Sequence, residues 1–142
     1  MNDEWITELD AAVSEVFSLM LGRRCQPDLR YADLSGYEAS VGFSGTLRGS
    51  CTVRLDYDAA RSLTEELTGE ASPADCLDTV GELCNMIAGS WKSRLPGDAS
   101  ACKLSIPHSG PVGLAAKGAE LCRYYRCEGV SLILLLSLEQ AA

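Results

Sequence analysis

Two polar side chains of the sequence, Glu82 and Asn85, have types and a spacing that suit shared chemistry. At about 100° per residue, positions three apart on a helix project side by side. Asp78, Gly89 and Lys92 continue the same stripe, on the side of the predicted helix opposite to its apolar residues. A carboxylate and an amide displayed together form the first candidate for a functional site.

A polar stripe of this kind is usually only the solvated face of an amphipathic helix. Two of its members argue for more than solvation. Asn85 and Gly89 lie in the helix interior, where asparagine is a poor choice and glycine costs about 1 kcal/mol relative to alanine. One turn beyond Asn85, Gly89 also leaves a patch of bare backbone that another surface could approach closely.

The helix that carries this stripe has the clearest start signals in the chain. Ser72 is a typical N-cap, Pro73 suits the first helical position, and Asp75 completes an arrangement similar to a capping box. The helix is predicted to end near residue 95, before a proline and a glycine. Its apolar stripe, predicted to face the core, consists of Leu77, Val80, Cys84, Ile87 and Trp91.

Two further helices are predicted. A long amphipathic helix covers residues 3–21, with Gly22 as its C-cap. A shorter helix covers residues 59–67, capped by Asp58 and closed by Gly69.

The predicted strands come in consecutive pairs. Alternating stretches at residues 37–43 and 50–55 form a hairpin, and two later strands at residues 120–127 and 130–138 turn at a Glu-Gly pair. Between the pairs lie a strand at residues 101–106 and a proline- and glycine-rich connection at residues 107–118. Because strands do not alternate singly with helices, we predict an α+β fold in one domain over residues 1–142, with a largely antiparallel sheet packed with long amphipathic helices.

Composition limits the classes of partner. The 142 residues carry a formal net charge of −8, with a pI of about 4.6, so the chain lacks the basic excess that nucleic-acid backbones and anionic membranes attract. The longest apolar run, residues 130–136, is too short to span a bilayer, and the acidic N-terminus does not resemble a secretory signal. We expect a cytoplasmic location without nucleic-acid or membrane partners.

Seven cysteines are scattered along the chain, an odd number without C-x-x-C spacing. Without an export signal, this usage is typical of reduced thiols rather than of a disulfide framework. We expect these thiols to be mostly buried.

The segment 78–92 resembles the E-x-x-N helix signature of the CheX/CheC/FliY family of response-regulator phosphatases. E-x-x-N alone is unspecific, but here it stands within D-x-x-x-E-L-x-N-x-x-x-G. Residues 16–21, 41–49 and 104–107 fit the family as well. The resemblance covers most of the chain and implies a CheC-like fold.

The number of asparagines indicates which type within the family this chain resembles most. Related CheC and FliY proteins carry two such helices, whereas Asn2 and Asn85 are the only asparagines in this sequence. A second E-x-x-N site is therefore impossible, and the single-site CheX type is the closer match. By the same resemblance, the chain is expected to form a homodimer through sheet edges.

What the resemblance implies is hydrolysis of the aspartyl phosphate of a phosphorylated CheY-like receiver domain. Mg²⁺ would lie in the receiver's acidic pocket, and this chain would need no cofactor of its own. Asn85 would enter that pocket and orient the attacking water with its amide, which both donates and accepts hydrogen bonds. Glu82 would pair with the receiver's active-site lysine, while Asp78, Gly89 and Lys92 would contact the partner.

Two alternatives stay open at this level. The chain could be a non-catalytic module of the same fold that binds a receiver or another signalling partner, or a structural dimerisation domain with Glu82 and Asn85 merely exposed. The presence of both residues favours the enzyme, because a pure binder has no need of an amide at that position.

Three other constellations are weaker candidates. Ser100 and Lys103 match the S-x-x-K pattern, but the companion motifs of that enzyme class are missing. His108 is the single histidine of the chain and lies in a predicted loop, where it is more typically solvated than catalytic. Asp56 and Asp58 could hold a cation together, but a helix cap explains Asp58 without one.

Overall fold

Three helices and seven strands make up the described parts of the chain, residues 2–28, 35–113 and 119–139, in a computed structural model. The helices are α1 (Asp3–Leu21), α2 (Tyr57–Thr68) and α3 (Pro73–Arg94), and a 3₁₀ helix at Gly97–Ala101 follows α3. The strands are β1 (Gln26–Asp28), β2 (Gly36–Ser44), β3 (Arg48–Asp56), β4 (Lys103–Leu104), β5 (His108–Pro111), β6 (Leu121–Arg126) and β7 (Ser131–Glu139). Within these ranges no helix has the length and apolar character needed to cross a bilayer.

The described strands form one sheet in which every pairing is antiparallel. Its order is β1-β6-β7-β3-β2-β4, and β5 pairs with β2 on the same edge as β4. The turn between β6 and β7 falls at Glu128 and Gly129, with φ values of 43° and 90°, as a two-residue turn between twisted strands requires. The predicted α+β class and both predicted strand pairs are confirmed.

The core lies between one face of the sheet and the three helices. Alternate residues of each strand face it, so that Val41, Val53 and Leu134 are completely buried. Phe17 of α1 and Ile87 of α3 are buried against the same cluster. Burying side chains of this size stabilises the fold by about 1.5–3 kcal/mol each.

Helix α3 begins where the sequence predicts and is fixed firmly at both ends. The Ser72 hydroxyl accepts a hydrogen bond from the Asp75 N–H at 3.1 Å, and the Asp75 carboxylate accepts one from the Ser72 N–H at 3.3 Å. Near the other end, the Trp91 indole N–H donates to the Trp5 carbonyl of α1 at 2.9 Å, and its ring packs against Phe43 of β2. The rotation of α3 about its own axis is thereby set.

Helix α1 is fastened to the sheet through Asp10. Its carboxylate accepts hydrogen bonds from the Arg123 guanidinium and from the Tyr125 hydroxyl, the latter at 2.6 Å. Burial and the hydrogen bond to Asp10 hold the pKa of Tyr125 well above its ordinary value. The hydrogen bond to Asp10 likewise raises the pKa of Arg123. Both groups therefore keep their protons throughout the neutral range and can donate to Asp10.

The predicted cap of the second helix was wrong. Helix α2 begins at Tyr57, two residues earlier than predicted, and the carboxylate of Asp56 rather than Asp58 accepts a hydrogen bond from the Ala59 N–H at 2.6 Å. Two aspartates lie close together here, and the path of β3 decides which one reaches the helix start. Gly69 closes the helix as predicted.

The edge strands differ from the prediction. The strand expected at residues 101–106 is reduced to the two residues of β4, because the chain before it turns as a 3₁₀ helix. The connection expected at residues 107–118 contains β5, while its residues 114–118 lie outside the described ranges. Strand β1 was not predicted at all. Strands this short are made by pairing with a neighbour and carry little alternation of their own.

Two cysteines form a disulfide, contrary to the predicted reduced state. Cys25 and Cys127 are bonded across 102 positions of sequence, with their Cα atoms 4.1 Å apart. The register explains the pair, because Gln26 of β1 lies opposite Arg126 of β6 and the adjoining residues are the two cysteines. The predicted burial holds for the thiols of Cys51, Cys76, Cys84 and Cys102, whereas Cys122 is exposed.

We expect Cys25→Ser to lower the free energy of unfolding under oxidising conditions by about 2–5 kcal/mol, because the bond closes a long loop in the unfolded chain. Denaturant unfolding with and without a thiol reductant measures this. Reductant should bring the wild type down to the level of the variant, while the exposed Cys122→Ser control behaves as the wild type. Equal stability of the wild type with and without reductant would contradict the bond.

Candidate functional site

Glu82 and Asn85 lie side by side near the middle of α3, a continuous helix of 22 residues. Glu82 is exposed and Asn85 is half-buried. Neither side chain has a hydrogen-bond or ion-pair partner among the described residues. A carboxylate and an amide on a rigid helix are therefore available to a molecule outside the chain.

On one side, Glu82 borders a groove between the three helices. The groove has a volume of about 370 Å³, and Met20 of α1 and Leu67 of α2 contribute apolar side chains to it. Asp78 and Glu82 contribute carboxylates from α3. This combination suits a segment that carries both aliphatic and basic side chains. The lining residues are Met20, Leu67, Thr68, Asp75, Asp78, Thr79 and Glu82.

On the other side, Asn85 lies in a crease between α3 and the edge strands. Gly81 and Gly89 are one turn before and one turn after it. A Cβ atom at Gly81 would lie 2.9 Å from the hydroxyl oxygen of Ser109 and 3.5 Å from the Cβ of Pro107. A Cβ atom at Gly89 would lie 3.8 Å from a methyl carbon of Leu104. The connection between β4 and β5 thus passes along the turn of α3 that carries Asn85.

The three residues predicted to flank the pair are placed differently from one another. Asp78 is exposed and has no side-chain partner among the described residues. Gly89 is half-buried beside the edge strand. The Lys92 ammonium donates to the carbonyls of Ser100 and Cys102, at 3.0 and 2.7 Å, so its charge already holds the 3₁₀ segment in place. The exposed charge of the stripe is therefore acidic.

The weaker candidates of the sequence are not assembled into sites. Asp56 caps α2, and Asp58 lies on its surface, 3.8 Å from Arg61. His108 is exposed on β5, and the hydroxyl of Ser100 donates to a carbonyl of its own turn. Over the described residues, no group of three or more histidine, cysteine, aspartate or glutamate side chains is placed to hold a metal ion.

Sequence reasoning missed the crease around Asn85. Gly81 had no assigned role, although a mid-helix glycine four residues before Asn85 was a visible signal of close packing. The placement of residues 104–107 beside the helix depends on their pairing with β2, which no local pattern indicates. Ile106, in that stretch, is 76% exposed.

This arrangement of helices on an antiparallel sheet is that of CheX and CheC-like proteins. The CheX crystal structure from Vibrio vulnificus matches with a TM-score of 0.79 and 18% identity, covering 96% of this chain and 97% of that chain. The CheX-CheY-BeF₃-Mg²⁺ complex from Borrelia burgdorferi matches with a TM-score of 0.76 and 19% identity, covering 98% and 100%. CheX from Desulfovibrio desulfuricans gives 0.74 and 20%, covering 96% and 99%.

The family itself follows from the sequence. The family model described as "Chemotaxis phosphatase CheX" matches residues 37–109, which is more than half of the chain and includes Glu82 and Asn85. The chain belongs to the CheX family. No curated protein sequence matches it significantly.

We expect Lys92→Met to lower the free energy of unfolding by about 1.5–3 kcal/mol, because it removes charge-assisted hydrogen bonds to two carbonyls and keeps the aliphatic stem. Denaturant unfolding measures the loss. Lys103→Met is the control, since Lys103 is exposed on β4 and should be replaceable without effect. A Lys92→Met protein as stable as the control would contradict the structural role of the ammonium.

Proposed function

We propose that this chain hydrolyses the aspartyl phosphate of a CheY-like receiver domain. The observation that carries the proposal is the pair Glu82 and Asn85, displayed together on one face of α3 without internal partners among the described residues, in a chain of the CheX family. The receiver already supplies the phosphoryl group and the metal ion. The reaction then needs a group that orients the attacking water and a group that holds the receiver in place, and an amide and a carboxylate can serve as these two groups.

Asn85 orients the water. Its amide oxygen accepts a hydrogen bond from the water, while its N–H₂ group can donate to an oxygen of the phosphoryl group. The water oxygen bonds to phosphorus as the bond from phosphorus to the aspartate oxygen breaks, releasing inorganic phosphate and leaving a carboxylate. The amide adds no negative charge to a centre that is already anionic. Positioning of this kind carries a large part of the rate enhancement of phosphoryl transfer.

Glu82 holds the receiver in place. Its exposed carboxylate pairs with a lysine of the receiver's active site, forming a charge-assisted hydrogen bond. Because Glu82 and Asn85 share one rigid helix, docking of the first fixes the position of the second. Asp78 and Gly89 extend the contact along α3, and Lys92 adds its aliphatic stem at the far end.

The partner and its metal belong to the same proposal. The solved complex of CheX with CheY, BeF₃ and Mg²⁺ from Borrelia burgdorferi supports a CheY-like receiver that carries Mg²⁺. We propose that this chain adds no cofactor of its own, that it works in the cytoplasm, and that it forms a homodimer through sheet edges.

We expect Asn85→Ala to slow the release of phosphate from a phosphorylated CheY-like receiver by about 100-fold or more, because the attacking water loses its orienting group. Binding to the receiver should stay within a few-fold of the wild type. Glu82→Ala should weaken binding about tenfold or more as well as slow turnover, because a charge-assisted contact is worth about 1.5–3 kcal/mol. Phosphate release with Mg²⁺, together with titration of a beryllofluoride-loaded receiver, separates the two effects.

Asn85→Asp is the matched variant, since it keeps the shape of the side chain and replaces the amide by a charge. It should be as inactive as Asn85→Ala. Full activity of Asn85→Ala would contradict the assignment. Wild-type binding to receivers without any acceleration would instead identify a non-catalytic binding module.

We expect Gly89→Ala to stabilise the chain while weakening its affinity for the receiver several-fold. Alanine is favoured over glycine inside a helix by about 0.5–1 kcal/mol, and the added Cβ fits its nearest neighbour within this chain. Thermal unfolding and receiver titration measure the two effects. Ser62→Ala on the exposed face of α2 is the control and should leave affinity unchanged. Unaltered affinity of Gly89→Ala would remove Gly89 from the docking surface.

A further inference from the structure

The edge of the sheet beside α3 contains a one-residue bulge between β4 and β5. Phe43 pairs with Leu104 and Ser40 pairs with His108, so three steps along β2 correspond to four steps along its neighbour. The extra residue falls in the stretch 105–107. Bulges of this kind redirect side chains and occur frequently beside functional sites.

The backbone around the bulge is held on both sides of Ile106. The Ser105 N–H donates to the Gly42 carbonyl at 2.9 Å, and the Ser105 hydroxyl accepts from the Gly42 N–H at 2.8 Å. The same hydroxyl donates to the carbonyl of Ile106 at 3.0 Å. Pro107 follows, with its φ fixed by the ring, and packs beside Gly81 of α3. The position of Ile106 is therefore fixed by β2 and by α3.

The bulge directs Ile106 away from the core. Leu104 is half-buried beside Gly89, whereas Ile106 is 76% exposed. Leu104 and Pro107 lie beside glycines one turn after and one turn before Asn85. The chain between them, which includes Ile106, therefore runs past the turn of α3 that carries the amide. A segment with a fixed backbone thus exposes a branched apolar side chain as it passes the proposed water-orienting group.

Exposure alone does not distinguish Ile106, since isolated apolar side chains are common on protein surfaces and Leu19 is 75% exposed. What distinguishes Ile106 is its place on the segment that runs past the turn carrying Asn85. The chain carries a net charge of −8, so outside the pair of Glu82 with the receiver's lysine it offers little charge attraction to a pocket lined with carboxylates. An apolar contact adds affinity without adding negative charge, and a side chain on a rigid backbone loses little freedom when it docks.

We propose that Ile106 docks against an apolar spot on the receiver next to the phosphorylated aspartate as Asn85 enters the pocket. This inference rests on the proposed function, because the partner that contacts Ile106 is the same CheY-like receiver. Ile106 is a contact that determines affinity. It sets how tightly the receiver is held and leaves the chemical step to Asn85.

The test compares Ile106→Asp with Leu19→Asp, which places the same charge at an equally exposed apolar position on α1. Binding is measured with a CheY-like receiver loaded with beryllofluoride and Mg²⁺, and turnover with the same receiver phosphorylated by a small-molecule phosphodonor. We expect Ile106→Asp to raise Kd and KM about tenfold or more, with kcat within about twofold of the wild type. Leu19→Asp should have the Kd and KM of the wild type. Ile106→Leu, which keeps an apolar side chain at this position, should also keep the affinity of the wild type.

Any other result of these measurements contradicts the proposed role of Ile106, the proposed function, or both. Unchanged Kd and KM for Ile106→Asp, or an equal loss for Leu19→Asp, overturns the proposal. A fall in kcat at unchanged KM also overturns it, because Ile106 would then act on the chemical step. If the wild type binds receivers without hydrolysis, the proposed catalysis fails while the comparison of Kd values still tests Ile106. If the wild type binds no receiver, both proposals fail.

Discussion

The burial of one face of α3 is the constraint on which the rest of the structure depends. Cys84, Ile87 and Trp91 are each completely buried, and Trp91 is locked to α1 by its indole N–H. Rotation of the helix by one residue, about 100°, would withdraw these side chains from the core and push Glu82 or Asn85 toward it. An unpaired buried carboxylate costs several kcal/mol, so the helix has one stable rotation. The polar stripe faces outward because only this rotation of α3 buries its apolar stripe in the core.

A site made of one amide and one carboxylate works only if its position is exact to a fraction of an ångström. The fold meets this demand by placing both groups on a helix and supporting that helix from behind. Trp5 of α1 accepts the hydrogen bond from Trp91, and α1 is in turn fixed to β6 through Asp10. Contacts remote from Glu82 and Asn85 therefore bear on the proposed chemistry, because they determine where the helix lies.

Local signals made the helices and the long strands predictable from sequence. Ser72 and Asp75 mark the start of α3, Gly22 marks the end of α1, and both features are present. Strands β1 and β5 were missed because they are defined by the partners they pair with, β6 and β2, far away in sequence. The prediction that the cysteines are reduced failed for the same reason. Cys25 lies close to Cys127 only because β1 pairs with β6 in the observed register.

The candidate site divides in the same way. Glu82 and Asn85 follow from helical spacing, which is local, and α3 displays them as predicted. The crease beside Asn85 and the exposed Ile106 require the pairing of residues 103–111 with β2 and a bulge in that pairing. No pattern within the segment itself announces either. The part of the site that depends on one helix was predictable, and the part that depends on long-range pairing was not.

The disulfide raises the question of whether the site needs an oxidised chain, since disulfides are rare in reducing compartments. The contacts around it argue that it does not. The Arg23 guanidinium donates hydrogen bonds to the Glu66 carboxylate of α2 at 2.8 Å and to the Glu128 carbonyl. The Arg24 N–H donates to the Glu128 carboxylate at 3.2 Å. These contacts join the end of α1 to α2 and to the turn between β6 and β7 without the sulfur bond. The groove beside Glu82 is bounded by those same helix ends. We therefore expect it to keep its walls when the two cysteines are reduced.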